Sequence, residues 1–311
     1  MGCERPVAAG HEKRTVKSHR QALLALHGAV ALFGCAGLLG KVVACPAIVI
    51  TCVRSLVAAV ALGGLLAARR QLRVHTQNTR GVGSAVALAL GGALLAVHWW
   101  SFFAAIQLGT VALGLLTFAS YPLFGTLLEP LFFRERLRLT DGVACLGVAV
   151  GLALVVPDWN FGNTAGRAAI WGILSGLTFA LLSLLNRRLT RALPPLRIVA
   201  VQTALAGLLL LPFAGPQLRA VTPVDWVWLV VLGVVFTGLA HWGFTASLTR
   251  LPVRLAGVTA ALEPVYGIAL AWALLGEAIA PRMLAGGVSI IAATCLATLA
   301  RQTNTPVAAP A

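Results

Sequence analysis

Ten apolar runs follow one another along the chain, at approximately 21–43, 47–68, 82–106, 110–133, 141–157, 168–186, 197–214, 225–249, 254–276 and 283–300, with short polar connections between them. Most reach the roughly 20 residues a helix needs to cross hydrocarbon. Barrel strands would leave segments of about ten residues with alternating polarity, and the runs show no such alternation. The pattern predicts an all-α integral membrane protein with ten transmembrane helices.

The runs divide into two similar sets of five. Pro122 and Glu135 recur as Pro264 and Glu277, each 142 positions later (264 − 122 and 277 − 135). In the same register Trp100 falls on Trp242, Gly125 on Gly267 and Leu113 on Leu255, while Pro46 and Arg54 match Pro194 and Gln202 at an offset six residues longer. Five is odd, so two copies in series cross a membrane in opposite senses. Inverted repeats of this kind are a transporter architecture. The expected division is a polar cytoplasmic tail at 1–20, a first repeat at 21–157, a periplasmic connection at 158–167, a second repeat at 168–300 and a second tail at 301–311, both tails being disordered.

Charge orients the repeats. Hydrophobic residues make up 59% of the chain and charged residues 11%, with a formal net charge of +15. Apart from Arg54 inside a span, and Lys41, Arg167, Arg219 and Arg282 on one side, every Lys and Arg falls in segments on the opposite side of a ten-span arrangement. By the positive-inside rule that side, and with it both termini, is cytoplasmic. The basic residues are shared among short loops and form no folded basic face, which excludes a nucleic-acid partner. The six cysteines form no Cys-x-x-Cys pair and read as small buried hydrophobes. No cofactor or metal motif is present, and Pro6 spoils the myristoylation pattern that Met1-Gly2-Cys3 would begin.

Candidate chemistry lies within the spans. Pro122 and Pro264 fall near the middle of spans 4 and 9, where proline removes a backbone hydrogen bond; each reads as a hinge or freed-carbonyl ligand, or as a static kink. Glu263, beside Pro264 near the midplane, must be protonated, paired or facing water. It is a candidate for the group that exchanges a coupling proton, the alternative being a fixed hydrogen bond. Glu129 lies nearer the cytoplasmic end of span 4, as a cavity or gate residue or as a partner of Arg134 or Arg136. Glu135 and Glu277, just beyond their helices, read as residues that fix loop geometry. Arg54 suits bidentate recognition of an anionic substrate group, or permanent pairing with Glu263 or lipid headgroups. His98, Trp99 and Trp100 in span 3 and His241 and Trp242 in span 8 place imidazoles and indoles in both halves, as an aromatic cavity wall or as part of interfacial belts. Tyr121, Tyr266 and Ser101 are candidate hydroxyls for the same cavity. Gly147-x3-Gly151 and Gly172-x3-Gly176 let helices approach closely, within one chain or across a dimer.

The stretch from Tyr121-Pro122-Leu123-Phe124 to Phe133-Arg134-Glu135-Arg136-Leu137, its counterpart from Leu262-Glu263-Pro264-Val265-Tyr266 to Leu275-Gly276-Glu277, and the five-plus-five layout resemble the EamA-type transporters of the drug/metabolite transporter superfamily over about 21–300. The first copy departs from the pattern at Arg134, where the second has Gly276. The resemblance implies a secondary carrier, not an enzyme, with a substrate cavity between spans 1–4 and 6–9 and alternating access around it. The expectation is an inner-membrane carrier exporting a small metabolite, amino acid or drug-like compound, with proton antiport as its coupling. Its partners would be that substrate, protons and membrane lipids, as a monomer or a homodimer. The rival readings are a lipid-modifying membrane enzyme, for which the nine acidic residues are too scattered, and an uptake carrier or channel of the same layout.

Overall fold

A computed structural model of the chain describes residues 8–68, 82–133, 137–156, 160, 162–251 and 253–302. Glu135 with Arg134 and Arg136, most of the connection at 157–161, and the myristoylation-like start lie outside the described residues. Within them every regular element is a helix. In the first repeat these are α1 (Ala8–Val42), α2 (Ala47–Ala68), α3 (Val82–Leu108), α4 (Val111–Phe118), α5 (Tyr121–Phe133) and α6 (Leu139–Val155). The second repeat holds α7 (Thr164–Leu189), α8 (Pro195–Ala214), α9 (Pro223–Gly233), α10 (Ala240–Ser247), α11 (Val253–Ala260), α12 (Glu263–Leu275) and α13 (Pro281–Gln302). The helix α1 therefore begins well before the apolar run that announced it. Among the described residues seven helical runs are long and apolar enough to cross a membrane; Leu139–Val155, Glu263–Leu275 and Pro281–Leu296 are apolar but shorter.

The duplication seen in the sequence is carried into the backbone. The bounds of α4 and α5 return in α11 and α12 with every number raised by 142 (111 to 253, 118 to 260, 121 to 263, 133 to 275). Each pair is one span broken in two, and prolines explain where. Pro122 and Pro264 stand second in α5 and α12, where the missing N–H has no intrahelical partner to lose. The turns before them end with an ordinary helical bond and then a tightened one: Ala119 N to Leu115 O at 3.0 Å then Ser120 N to Thr117 O at 3.2 Å, and correspondingly Ala261 N to Gly257 O at 2.9 Å then Leu262 N to Thr259 O at 3.0 Å. The sequence suggested a kink inside one helix; the structure shows a tightened turn before each proline, still bridged by Phe124 N to Ser120 O at 3.3 Å and by Tyr266 N to Leu262 O at 3.2 Å.

Packing follows the same exchange of halves. The pairs α2–α8 and α6–α13 join equivalent helices, and the contact of α5 with α7 is answered by that of α12 with α1. Lipid gives no hydrophobic drive for helices to associate, so close approach rests on small residues. A Cβ added to Gly147 would meet Ala293 Cβ at 2.7 Å, and one at Gly151 would meet Gly286 O at 2.7 Å. Ser289 Oγ adds a bond to Gly147 O at 3.0 Å. Gly172 and Gly176 lie against Thr117 and Ser120 of the broken span. Both glycine stripes thus serve contacts within the chain.

Glu277, past the end of α12, places its carboxylate on the first turn of α4, accepting from Val111 N at 3.2 and 3.0 Å. The negative charge meets the positive end of the helix and fills an N–H with no intrahelical partner. Gly276 makes this reach possible by ending α12 at φ 65°, a left-handed turn that favours glycine.

Candidate functional site

The break in the second repeat leaves Glu263 as the first residue of α12, and this puts a carboxylate beside the middle of the bundle. A cavity of about 20 Å³ lies there, lined by Glu263, Arg54, His98, Trp99 and His241 and closed by Phe33, Phe102, Phe118 and Phe179. That volume holds about one water molecule. The central site is therefore narrow in this conformation.

Arg54 comes from α2 and is 2% exposed. Its Nε donates to Thr237 Oγ1 at 2.6 Å and its Nη2 to Phe236 O at 3.3 Å. The guanidinium carbon stands 4.6 Å from the centre of the Trp99 ring and 5.0 Å from that of Phe103. Both acceptors lie in a π-helical turn, Val234–Leu239, between α9 and α10. A π turn inserts one residue into the helical cycle and disturbs the bonding ladder; here Thr237 Oγ1 donates to Leu232 O at 2.7 Å and is left to accept from Arg54. The backbone comes close because Gly233 packs on the Val57 side chain and on Arg54 O; Gly91, 142 positions earlier, packs instead on the side-chain amide of Gln202, the counterpart of Arg54.

The inserted residue also accounts for the histidines. In gapless register His98 would fall on position 240, yet the extra residue turns the helix on by about 100°, and His241 faces the cavity instead. His98 Nδ1 lies 2.8 Å from Ser175 Oγ and 3.1 Å from Ser175 O, while Ser175 Oγ donates to His98 O at 3.1 Å. The serine's one proton is thereby used, so Nδ1 of His98 is a donor in this network. Its ring stacks on Phe179 at 4.7 Å. Both ring nitrogens of His241, and Thr245 Oγ1 one turn on, are buried without a hydrogen-bond partner among the described residues. Buried polar groups seldom stay unmatched, so this face of α10 is equipped to meet a polar ligand.

Arg54 and Glu263 face one cavity without touching: among the described residues the one ion pair joins Arg187 to Glu129 at 2.6 Å. Neither permanent pairing with Glu263 nor contact with lipid headgroups describes Arg54. Glu129 lies apart from the cavity lining, 2% exposed, with a partner on α7 that its own loop did not suggest. Tyr121 is buried against Phe179, ring centres 4.8 Å apart. Tyr266 is 38% exposed on the outer side of α12, and Trp242 packs with Leu62, Leu66 and Leu196 in a satellite cluster. Trp100 pairs with Trp171 at 4.9 Å. Ser101 is turned back on its own helix, donating to Val97 O at 2.7 Å. Sequence reasoning missed Thr237 and Ser175, which orient Arg54 and His98, and the phenylalanines that close the cavity. Among the described residues no three His, Cys, Asp or Glu side chains gather as metal ligands.

The profile described as the EamA-like transporter family matches this chain twice, over residues 20–156 and 166–299. An uncharacterized transporter of Bacillus subtilis (strain 168), YxxF, is 24% identical over 82% of this chain and 82% of its own length. An uncharacterized transporter of Archaeoglobus fulgidus is 28% identical over 63% of this chain and 70% of its own. A solved crystal structure, 19% identical, shares the fold with a TM-score of 0.67 over 90% of this chain and 98% of that one.

Proposed function

The chain belongs to the EamA-like transporter family, part of the drug/metabolite transporter superfamily, and from that premise we propose that it is a secondary carrier working by alternating access around the Arg54–Glu263 cavity. In this reading all ten helical runs cross the inner membrane, the two repeats lie inverted, both termini are cytoplasmic, and the cargo is exported. The observation that carries the reading is a guanidinium and a carboxyl group, buried on one cavity and out of contact with each other, beside a turn in a membrane helix. Such groups are costly to bury, so a site holding both suits a guest that meets both. The guest with that chemistry is a small metabolite bearing an anionic group for Arg54, of which an amino acid is the simplest case. Glu263 is the coupling group, exchanging a proton as the cavity changes sides.

Counterflow in proteoliposomes tests this. A carrier loaded with unlabelled amino acid accumulates the labelled compound transiently, at a rate that responds to a pH gradient. Linear, non-exchanging flux would point to a channel of the same layout, and covalent change of the compound to a membrane enzyme. Reconstitution in known orientation assigns the direction.

A further inference from the structure

Beyond the break at Ala119 and Ser120, α5 is a separate rod carrying one buried acid, Glu129. Arg187 of α7 holds that acid through Nη1 at 2.6 Å and lies 4.4 Å above the Phe133 ring. Arg188 donates to Phe132 O and stands 4.8 Å above the ring of the same residue. The last turn of α5 is thus gripped by arginines from the other repeat, at the negative end of the helix, where cations are favoured. At the far end of the bundle the closures between repeats are of another kind: Asp225 accepts from Ala44 N at 3.0 Å, and Glu277 from Val111 N. The cavity lies between the two sets. Ala271 occupies the position 142 residues after Glu129, so the second repeat has no matching lock.

Resting on the carrier reading above, we propose that Glu129 and Arg187 form the lock of the cytoplasmic gate. The pair joins the two halves whose relative movement opens that side, and it sits on the half-helix that follows the turn at Ala119 and Ser120, where this span can bend. The cavity opens to the cytoplasm when the carboxylate and the guanidinium part and are hydrated separately. While they are joined, only the opposite end can open.

The test reads access to the cavity and needs no known substrate. Ala36 lines the cavity and is small. In a background with the native cysteines replaced, Ala36→Cys is labelled with a membrane-impermeant maleimide applied from either side of oriented vesicles. Glu129→Gln and Arg187→Gln should each raise the labelling rate from the Arg187 side about 5-fold or more, the lower range of a coupling between sites, and lower it from the opposite side. Arg187→Lys, which keeps the charge and guards against failure through misfolding, should stay close to the parent, and Glu129→Arg combined with Arg187→Glu should restore the parent rate. Bridging Glu129→Cys to Arg187→Cys with a short bismaleimide should abolish labelling from the Arg187 side. Unchanged rates in both glutamine variants overturn the lock and leave the carrier standing. An Ala36→Cys protein labelled from neither side, in any variant, overturns the carrier itself.

Discussion

Replacing Arg54 by lysine keeps the charge and removes the geometry. The guanidinium makes two bonds into the π turn, to Thr237 Oγ1 and Phe236 O, while lying over Trp99 and Phe103. Hydrogen bonds from a charged donor contribute about 1.5–3 kcal/mol each, and a desolvated cation over an aromatic ring about 2 kcal/mol. A lysine ammonium on a flexible stem can retain one of the two bonds and part of the ring contact. The expected loss is then about 2–4 kcal/mol, or roughly 30- to 1,000-fold in the folding equilibrium. Solvent screening does not reduce this figure, since Arg54 is 2% exposed. In a chain of this size the loss corresponds to a fall in melting temperature of about 4–12 °C, measured on purified protein in detergent. The second readout is counterflow. A bidentate hold on an anionic substrate is lost with the planar fork, so exchange should fall at least about tenfold at equal expression. An Arg54→Lys protein that melts like the parent and exchanges at full rate would refute both the anchoring by the π turn and the recognition of an anion.

Glu263→Gln should abolish the response of exchange to a pH gradient; a response like that of the parent removes Glu263 from the coupling. Glu277→Gln keeps the shape but loses the charge at the head of α4, which is expected to cost about 0.5–2 kcal/mol, seen as a lower melting temperature whose difference from the parent shrinks in high salt. Gly151→Val would drive a side chain into the Gly286 carbonyl, whose oxygen lies 2.7 Å from the Cβ position; the α6–α13 contact should part, and the protein should fail to survive purification where Gly142→Ala, with open space at its Cβ position, survives.

The broken spans were legible because the cause is local. Pro122 and Pro264 mark the breaks, their separation marks the duplication, and Glu263 declared itself as an acid among apolar neighbours. The direction of a side chain was harder to read. In a soluble helix the polar face shows which way is out, but in α12 the lipid face and the packed face are both apolar. The acid itself required Glu263 to point in, but nothing in the residue types told that Tyr266 points outward. The same holds for Trp242, which faces a satellite cluster although its neighbour His241 lines the cavity. The π turn leaves no mark on Val234–Leu239 beyond the misplaced histidine, which registered as one position out of step without a reason. The Arg187–Glu129 pair joins residues far apart in sequence, and the nearer Arg134 and Arg136 concealed it.

The backbone is duplicated and the charges are not, and this difference bears on how such a molecule works. The counterpart of Arg54 is the neutral Gln202, which donates through Nε2 to Asn186 Oδ1 at 2.7 Å, and the counterpart of Glu263 is Tyr121. In the proposed carrier, two like halves related by inversion would give two end states that exchange the roles of the repeats, at nearly equal energy if the sequences were identical. A charge in every equivalent position would place two guanidiniums and two carboxylates in a cavity with room for about one water, at a desolvation cost that additional pairing does not reliably offset. One cation from the first repeat and one acid from the second keep the site neutral as a whole and polar along one direction. In the proposed carrier a guest held between them would have one orientation, and would keep it as the half-helices α5 and α12 exchanged their open and closed positions. The same asymmetry would separate the end states of the proposed carrier in energy, since Glu129 is ion-paired and Ala271, 142 positions later, cannot be. By this argument the preferred resting side of the carrier is written in the residues that differ between the repeats, and the ability to change sides in those that agree.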